Sequence, residues 1–122
     1  ESRIYIWETS ISQFLKDPIF GNNLNNSQTN HYPHNIFLEV LISTGIVGFV
    51  PFVLFLYLIF SKIKKIIIQQ PSYFWLCTIF IQGFIARMFS GNIYSASWFA
   101  IGAGLILGFS LEKTRLKVSY RQ

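Results

Sequence analysis

Two histidines, His31 and His34, lie three residues apart where a polar, asparagine-rich stretch meets a long apolar run. An imidazole exchanges protons near neutral pH, so His34, directly before the apolar run, could take the proton from an attacking hydroxyl. Glu39 could orient that imidazole or accept a proton itself. The pattern predicts acid–base chemistry at this junction with His34 as the catalytic group, although a histidine that only caps or packs a helix fits the same pattern.

The arginines add a second kind of chemistry, because a planar guanidinium matches the oxygens of phosphate and diphosphate groups. Arg87 lies near the end of an apolar block, where a charge is costly and marks either function or a side chain that reaches the interface. Five residues are candidates for substrate binding: Arg3, Arg87, Asn35, Glu39 and His31. No third ligand accompanies the two histidines, so the sequence predicts no metal site.

The composition predicts a membrane protein. Of the 122 residues, 52% are hydrophobic and only 12% are charged, and the apolar residues occur in long blocks. The net charge of +5 does not indicate nucleic-acid binding, because the basic residues flank apolar blocks instead of lining a polar face. The sequence contains no glycine-rich phosphate loop and no nucleophile elbow, and we expect no cofactor.

The predicted fold class is all-α, a polytopic bundle of about three membrane helices preceded by an extracytoplasmic amphipathic helix and loop. The amphipathic helix ends at Asp17-Pro18, and Asn35 is a plausible N-cap for the first apolar helix. We expect a kink or a join of two helical pieces at Pro51. The predicted spans are Val40–Phe60, Tyr73–Phe89 and Ser95–Leu111, with a turn at Ser90-Gly91-Asn92 and close helix contacts at Gly102, Gly104 and Gly108.

The distribution of lysine and arginine predicts the orientation. Three of the ten basic residues lie in 62–65 and four in 113–121, and an excess of positive charge marks the cytoplasmic side. The segment 1–35 would then be an extracytoplasmic region, and 36–122 would be the membrane bundle with a cytoplasmic tail. The chain begins Glu-Ser-Arg without a methionine, and we expect it to be the carboxy-terminal piece of a longer protein and inactive by itself.

Several of these residues together resemble the signature of the O-antigen ligase and Wzy-type polysaccharide polymerase family. The resemblance lies in Pro33-His34-Asn35-x-Phe37-Leu38-Glu39 followed by Gly45-Ile46-Val47-Gly48, in Arg3-x-x-x-Trp7 and Asp17-Pro18-Ile19-Phe20-Gly21 upstream, and in Phe89-Ser90-Gly91-Asn92 downstream. It covers nearly the whole chain. The segment between Arg3 and His34 is shorter than in many members of the family.

The resemblance implies a glycosyltransferase of the GT-C type in the bacterial cytoplasmic membrane, with its active-site loop facing outward. Such enzymes move a glycan from undecaprenyl pyrophosphate to an acceptor hydroxyl on a glycan or lipid, without metal or nucleotide. His34 would correspond to the family histidine proposed as general base or acceptor-orienting group, and Arg3 to an arginine proposed to hold the pyrophosphate. Arg87 has no counterpart in this resemblance and remains a candidate on topology alone.

Other interpretations stay open at this stage. The enzyme could be a polymerase that joins repeat units or a ligase that transfers a finished glycan, with the short loop and the composition slightly favouring polymerase. A transporter or channel with Arg87 and Gln82 along its pathway is a different class. A structural membrane subunit without chemistry is a third.

Overall fold

The structure is a computed structural model that describes the backbone of residues 2–89 and 96–119 and the side chains of 2–89 and 96–109. These residues form four α-helices and no strand: α1 (Arg3–Lys16), α2 (Ile36–Gln69), α3 (Phe74–Phe89) and α4 (Ser97–Ser119). A 3₁₀ turn, Pro71–Tyr73, leads into α3. The all-α prediction is confirmed, and the predicted turn at 90–92 lies outside the described residues.

Helix α1 begins and ends at local signals. The Ser2 hydroxyl accepts a hydrogen bond from the Tyr5 amide at 3.4 Å, which satisfies one of the amides at the start of the helix. Asp17 is the C-cap, and its amide donates to the Phe14 carbonyl at 3.2 Å. The end of α1 at Asp17-Pro18 therefore follows the prediction, because a residue before proline is disfavoured in helical conformation.

Helix α2 is interrupted at Gly45. Its φ of 60° and ψ of −161° are not helical and belong to a region that essentially only glycine adopts. The break divides α2 into a first segment, residues 36–44, and a second segment, residues 46–69. The amides that open the second segment and the carbonyls that close the first lose their helical partners at this point.

The loop after α1 supplies the missing partners. The Pro18 and Ile19 carbonyls accept hydrogen bonds from the amides of Ile46 (2.9 Å) and Val47 (3.2 Å), and the Asn22 amide donates to the Ile42 carbonyl at 2.8 Å. Gly21 has a φ of 69°, and a Cβ there would lie 2.6 Å from the Ile42 carbonyl oxygen. Glycine on both sides thus lets the two backbones approach closely enough to bond.

The first segment folds back against the second. The ring of Phe37 meets those of Phe49 and Phe52 edge-on, with centroid separations of 6.4 and 5.8 Å. In a straight helix, positions 37 and 52 would be about 22 Å apart along the axis, at about 1.5 Å per residue. The break at Gly45 is therefore a sharp reversal rather than a gentle bend.

The reversal corrects two predictions. The two helical pieces join at Gly45 and not at Pro51, where the backbone angles stay helical because proline's own φ is close to the helical value. A kink at Pro51 stays a prediction. A continuous span over Val40–Phe60 is also excluded, because the chain turns back at Gly45, within that range. The uninterrupted part of α2 is residues 46–69, about 36 Å long, which is sufficient for about 30 Å of hydrocarbon.

Two helical stretches, Ile36–Gln69 and Pro71–Phe89, are long and apolar enough to cross a membrane, and Ser97–Phe109 is a shorter apolar stretch. Only 22% of the apolar window of each long stretch is buried. A core helix of a soluble protein would be mostly buried, so the exposed apolar surface favours lipid as its surroundings. A third span remains a prediction.

The chain divides into two compact units. The first comprises Glu1–Phe55 and Ile85–Ala96, and the second comprises Leu56–Phe84 and Ser97–Gln122. In the second unit, Phe60, Phe80 and Phe99 pack with centroid separations of 5.7 and 5.2 Å. Gly102 lies against Phe80, as predicted, whereas a Cβ at Gly104 or Gly108 would meet no described atom within 4 Å.

Replacement of Gly45 by alanine should destabilise the protein by about 2–3 kcal/mol, because the residue is held at positive φ and a Cβ would collide with the backbone of Ile19. The matched control is Gly104→Ala, which adds a Cβ in open space on a helix and should leave stability unchanged or raise it by up to about 1 kcal/mol. Unfolding in detergent, followed by circular dichroism, measures both. Equal effects at the two sites would contradict the role assigned to the break.

Candidate functional site

His34 lies immediately before α2, in a backbone conformation that is unusual for its type. Its φ is 53°, in the left-handed region. Histidine is among the few non-glycine residues enriched there, but such a conformation still costs about 1–3 kcal/mol and persists only where the surroundings impose it. The side chain is half-buried, between the buried Pro33 and the helix start.

Asn35 holds the backbone on the carboxy-terminal side of His34. Its side-chain oxygen accepts hydrogen bonds from the amides of Phe37 (3.0 Å) and Leu38 (3.4 Å), and its carbonyl accepts from the Glu39 amide at 3.0 Å. This is the geometry of an N-cap, as the sequence predicts. A role for Asn35 in binding substrate stays a prediction, since its side-chain oxygen already serves the helix.

On the amino-terminal side, the loop that carries both histidines is anchored to α1 through Asn26. This side chain is fully buried. Its NH₂ group donates to Thr9 Oγ1 (2.7 Å), Ser10 Oγ (3.0 Å) and the Ile6 carbonyl (3.2 Å) on α1. Its oxygen accepts from the amides of Gln28 and Thr29 within the loop. One neutral side chain therefore shapes the loop and fastens it to the helix.

Gln13, a turn further along α1, makes a second attachment. Its side-chain oxygen accepts from the Ser27 amide at 2.8 Å, and its NH₂ group donates to the Asn25 carbonyl at 3.2 Å. Buried polar groups are stable only when they are hydrogen-bonded, and here the buried Gln13 side chain finds its partners in the loop backbone.

Trp7 makes the attachment nearest to His34. Its indole N–H donates to the Pro33 carbonyl at 3.0 Å, so α1 contacts the peptide group that precedes the histidine. Arg3 lies four residues before Trp7, on the same helical face and one turn away. The structure therefore places the α1 turn that bears Arg3 beside the His34 loop, and the Arg3 side chain is exposed.

The remaining candidates differ in exposure. Glu39 is fully buried one turn into α2, where its carbonyl accepts from the Ser43 hydroxyl at 2.6 Å. Its contact with a substrate stays a prediction. His31 is exposed, and its backbone carbonyl accepts a hydrogen bond from the backbone amide of Asn26 at 3.0 Å. Arg87 lies in the last turn of α3, half-buried and within the same compact unit as His34.

Sequence reasoning missed the residues that hold the loop. Asn26 is one of several asparagines in a stretch whose composition predicts only turns, and Gln13 and Ser10 looked like the polar side of an amphipathic helix. In the structure Ser10 and Gln13 are buried, whereas Ile4 and Leu15 are exposed. The local signal was that Ser10 and Gln13 share a helical face with Ile6, which is buried. This spacing by itself does not reveal their partners.

The comparisons with known proteins give a distant relative. The chain is similar to a protein of Rickettsia felis whose name is "Putative polysaccharide ligase", with 27% identity over an alignment of 126 positions that covers 86% of the chain. The chain spans 30% of the length of that relative. No family model matches the chain, and no solved structure matches it either.

Replacement of Asn26 by alanine should cost about 2 kcal/mol of stability, because it leaves buried groups of α1 and the loop without partners. Asn23→Ala is the matched control: that side chain is exposed, and its loss should change stability by less than about 0.5 kcal/mol. Denaturant unfolding measures the stability, and limited proteolysis within 22–33 reports the loop. Equal proteolysis of the two variants would contradict the anchoring role.

Proposed function

We propose that this chain forms part of a membrane enzyme of polysaccharide biosynthesis. The observation that carries the proposal is the similarity to the Rickettsia felis protein, which extends over most of the chain. The two long apolar helices with largely exposed surfaces support a location in a lipid bilayer. The break at Gly45 agrees with this location, because irregular backbone is tolerated in a membrane protein only where other protein groups satisfy it.

The reaction that we propose is glycan transfer from undecaprenyl pyrophosphate to an acceptor hydroxyl. The acceptor oxygen attacks the anomeric carbon, the bond from that carbon to the pyrophosphate oxygen breaks, and the lipid pyrophosphate leaves with the electron pair. The hydroxyl proton passes to the His34 imidazole as general base. Attack from the face opposite the leaving group inverts the configuration of the anomeric carbon.

The protein has two tasks in this step, and the site residues suit both. His34 must point in one direction, and its backbone is bonded on both sides, by Asn35 and through Pro33. The leaving group gains negative charge, which nearby guanidinium groups would stabilise. Arg3 and Arg87 are the candidates for this task, and His31, Asn35 and Glu39 are candidates for holding or orienting the sugars.

The position of Arg3 supports its assignment to an anion. It lies in the first turn of α1, where the helix dipole is positive and no acidic residue is present. A cation at this end does not help the helix, so local stability offers no reason for it. An exposed guanidinium at the positive end of a helix would instead favour a doubly charged group such as pyrophosphate.

The proposed orientation places the His34 loop outside the cytoplasmic membrane and the basic residues 62–65 inside. The exposed apolar side chains Ile4, Ile11 and Leu15 of α1 fit a helix that lies at the outer membrane surface. On the reaction itself, the relative's name favours a ligase, whereas the short polar loop favours a polymerase. Both enzyme types would carry out the proposed transfer reaction.

His34→Asn should abolish glycan transfer, because asparagine tolerates the left-handed backbone but cannot act as general base. His31→Ala should retain at least about a tenth of the activity, since a positioned general base contributes about 10²–10⁴-fold and an auxiliary group less. Asn23→Ala, at an exposed position of the same loop without a proposed role, is the control and should keep the wild-type activity. All three variants are made in the native cell at matched protein levels, and surface and lipid-linked glycans are profiled by electrophoresis and mass spectrometry.

The products distinguish the two enzyme types. If single lipid-linked repeat units accumulate in the His34→Asn cells, the enzyme is a polymerase. Long glycan chains on the lipid carrier would identify a ligase. An unchanged glycan profile would overturn the assignment of His34 and, with it, the proposed reaction.

Orientation can be tested by cysteine labelling after Cys77, the single cysteine of this chain, is replaced by alanine. A cysteine at the exposed Gln28 should react with an impermeant maleimide in spheroplasts, because the loop faces outward. A cysteine at the exposed Lys64 should react only after permeabilisation. The reverse pattern would overturn the orientation.

A further inference from the structure

The contact between Trp7 and Pro33 joins α1 to the peptide group next to His34. The indole N–H of Trp7 donates to the Pro33 carbonyl at 3.0 Å, across 26 positions of sequence. Pro33 is buried, and the Trp7 side chain is 37% exposed. We propose that Trp7 is a positioning residue, whose hydrogen bond holds the Pro33–His34 peptide so that the His34 imidazole points at the reacting hydroxyl. This inference rests on the proposed role of His34.

The backbone of His34 explains why such a bond is needed. At a φ of 53° the residue is in a sparsely populated conformation that the chain would leave if the surroundings allowed it. Asn35 restrains the following residues through the helix cap. The Pro33–His34 peptide plane lies on the other side of His34, and the carbonyl of this plane is the group that Trp7 binds.

The other attachments of the loop to α1 act at residues further from His34. Asn26 and Gln13 bind α1 to residues 23–29, several residues before His34. His31 is exposed, and Asn30, like His34, has a positive φ, of 55°. The bond from Trp7, by contrast, acts directly on the peptide that adjoins the histidine.

Tryptophan is suited to this task by its shape. The indole ring is rigid, carries a donor and no acceptor, and has only two rotatable bonds, so it delivers one N–H in a fixed direction. Trp7 is also one turn from Arg3 on the same helical face. The spacing Arg3-x-x-x-Trp7 thus places two residues on one helix: Arg3, the candidate for binding pyrophosphate, and Trp7, the residue that orients the base.

The test separates the N–H from the bulk of the ring. Trp7→Phe keeps an aromatic ring and removes the donor, and benzothienylalanine at position 7 replaces the N–H by sulfur with almost unchanged shape. Trp98→Phe, at an exposed position of α4, is the matched control. The protein is purified from the native cell, and transfer is measured with the lipid-linked glycan extracted from that cell as donor.

We expect kcat to fall about 10- to 100-fold in both Trp7 variants, because a displacement of about 1 Å at a reacting group can cost about 100-fold. KM should stay within about twofold, since no group that binds substrate is removed. The imidazole ¹H–¹³C resonances of His34 should shift in the Trp7 variants and not in Trp98→Phe. If Trp7 merely packs, benzothienylalanine will match the wild type in kcat and in the His34 resonances, and the proposal is overturned.

Failure of the proposed function gives a different result. If His34→Asn retains full transfer activity, His34 is not the base, and Trp7 cannot contribute to catalysis by orienting it. The His34 resonances still decide, independently of activity, whether Trp7 sets the position of the ring. If His34→Asn is inactive while both Trp7 variants have wild-type kcat, the function stands and Trp7 has no positioning role.

Discussion

The arrangement depends on the requirement that backbone amides and carbonyls find partners where helix α2 is broken. At Gly45 the helical hydrogen bonds of α2 are interrupted. The loop after α1 supplies replacement partners, namely the carbonyls of Pro18 and Ile19 and the amide of Asn22. In an apolar environment each of these groups would be costly to leave unbonded. The break and the loop are therefore stable only together.

This mutual dependence brings distant parts of the sequence into one place. Because residues 18–22 are bonded to the break, the end of α1 is held beside α2, and the first segment of α2 folds back so that Phe37 meets Phe52. The loop that follows cannot extend freely, and its backbone is bonded to the polar side of α1 through Asn26 and Gln13. The neutral network avoids the large penalty of buried charge.

The consequence for chemistry is a histidine that is held rather than mobile. His34 has a positive φ between two restraints, the cap by Asn35 and the bond from Trp7 to Pro33. Strained backbone of this kind is often found at functional sites, where it fixes the direction of a reacting group. The restraint by itself does not select a reaction; the glycan transfer that we propose rests on the similarity to a protein named "Putative polysaccharide ligase".

The sequence by itself determined the features that depend on neighbouring residues. The end of α1 at Asp17-Pro18, the cap at Asn35, the start of α3 after Pro71 and the apolar lengths all follow from local stereochemistry and composition. The conspicuous proline misled the prediction of the break, since the backbone of Gly45 reverses only because a remote loop can bond to it. Only the tertiary structure decided the fold-back of α2, the partners of Asn26 and the contact of Trp7 with Pro33. These features arise from hydrogen bonds between residues that are far apart in the chain, and no local pattern of residue types specifies such partners.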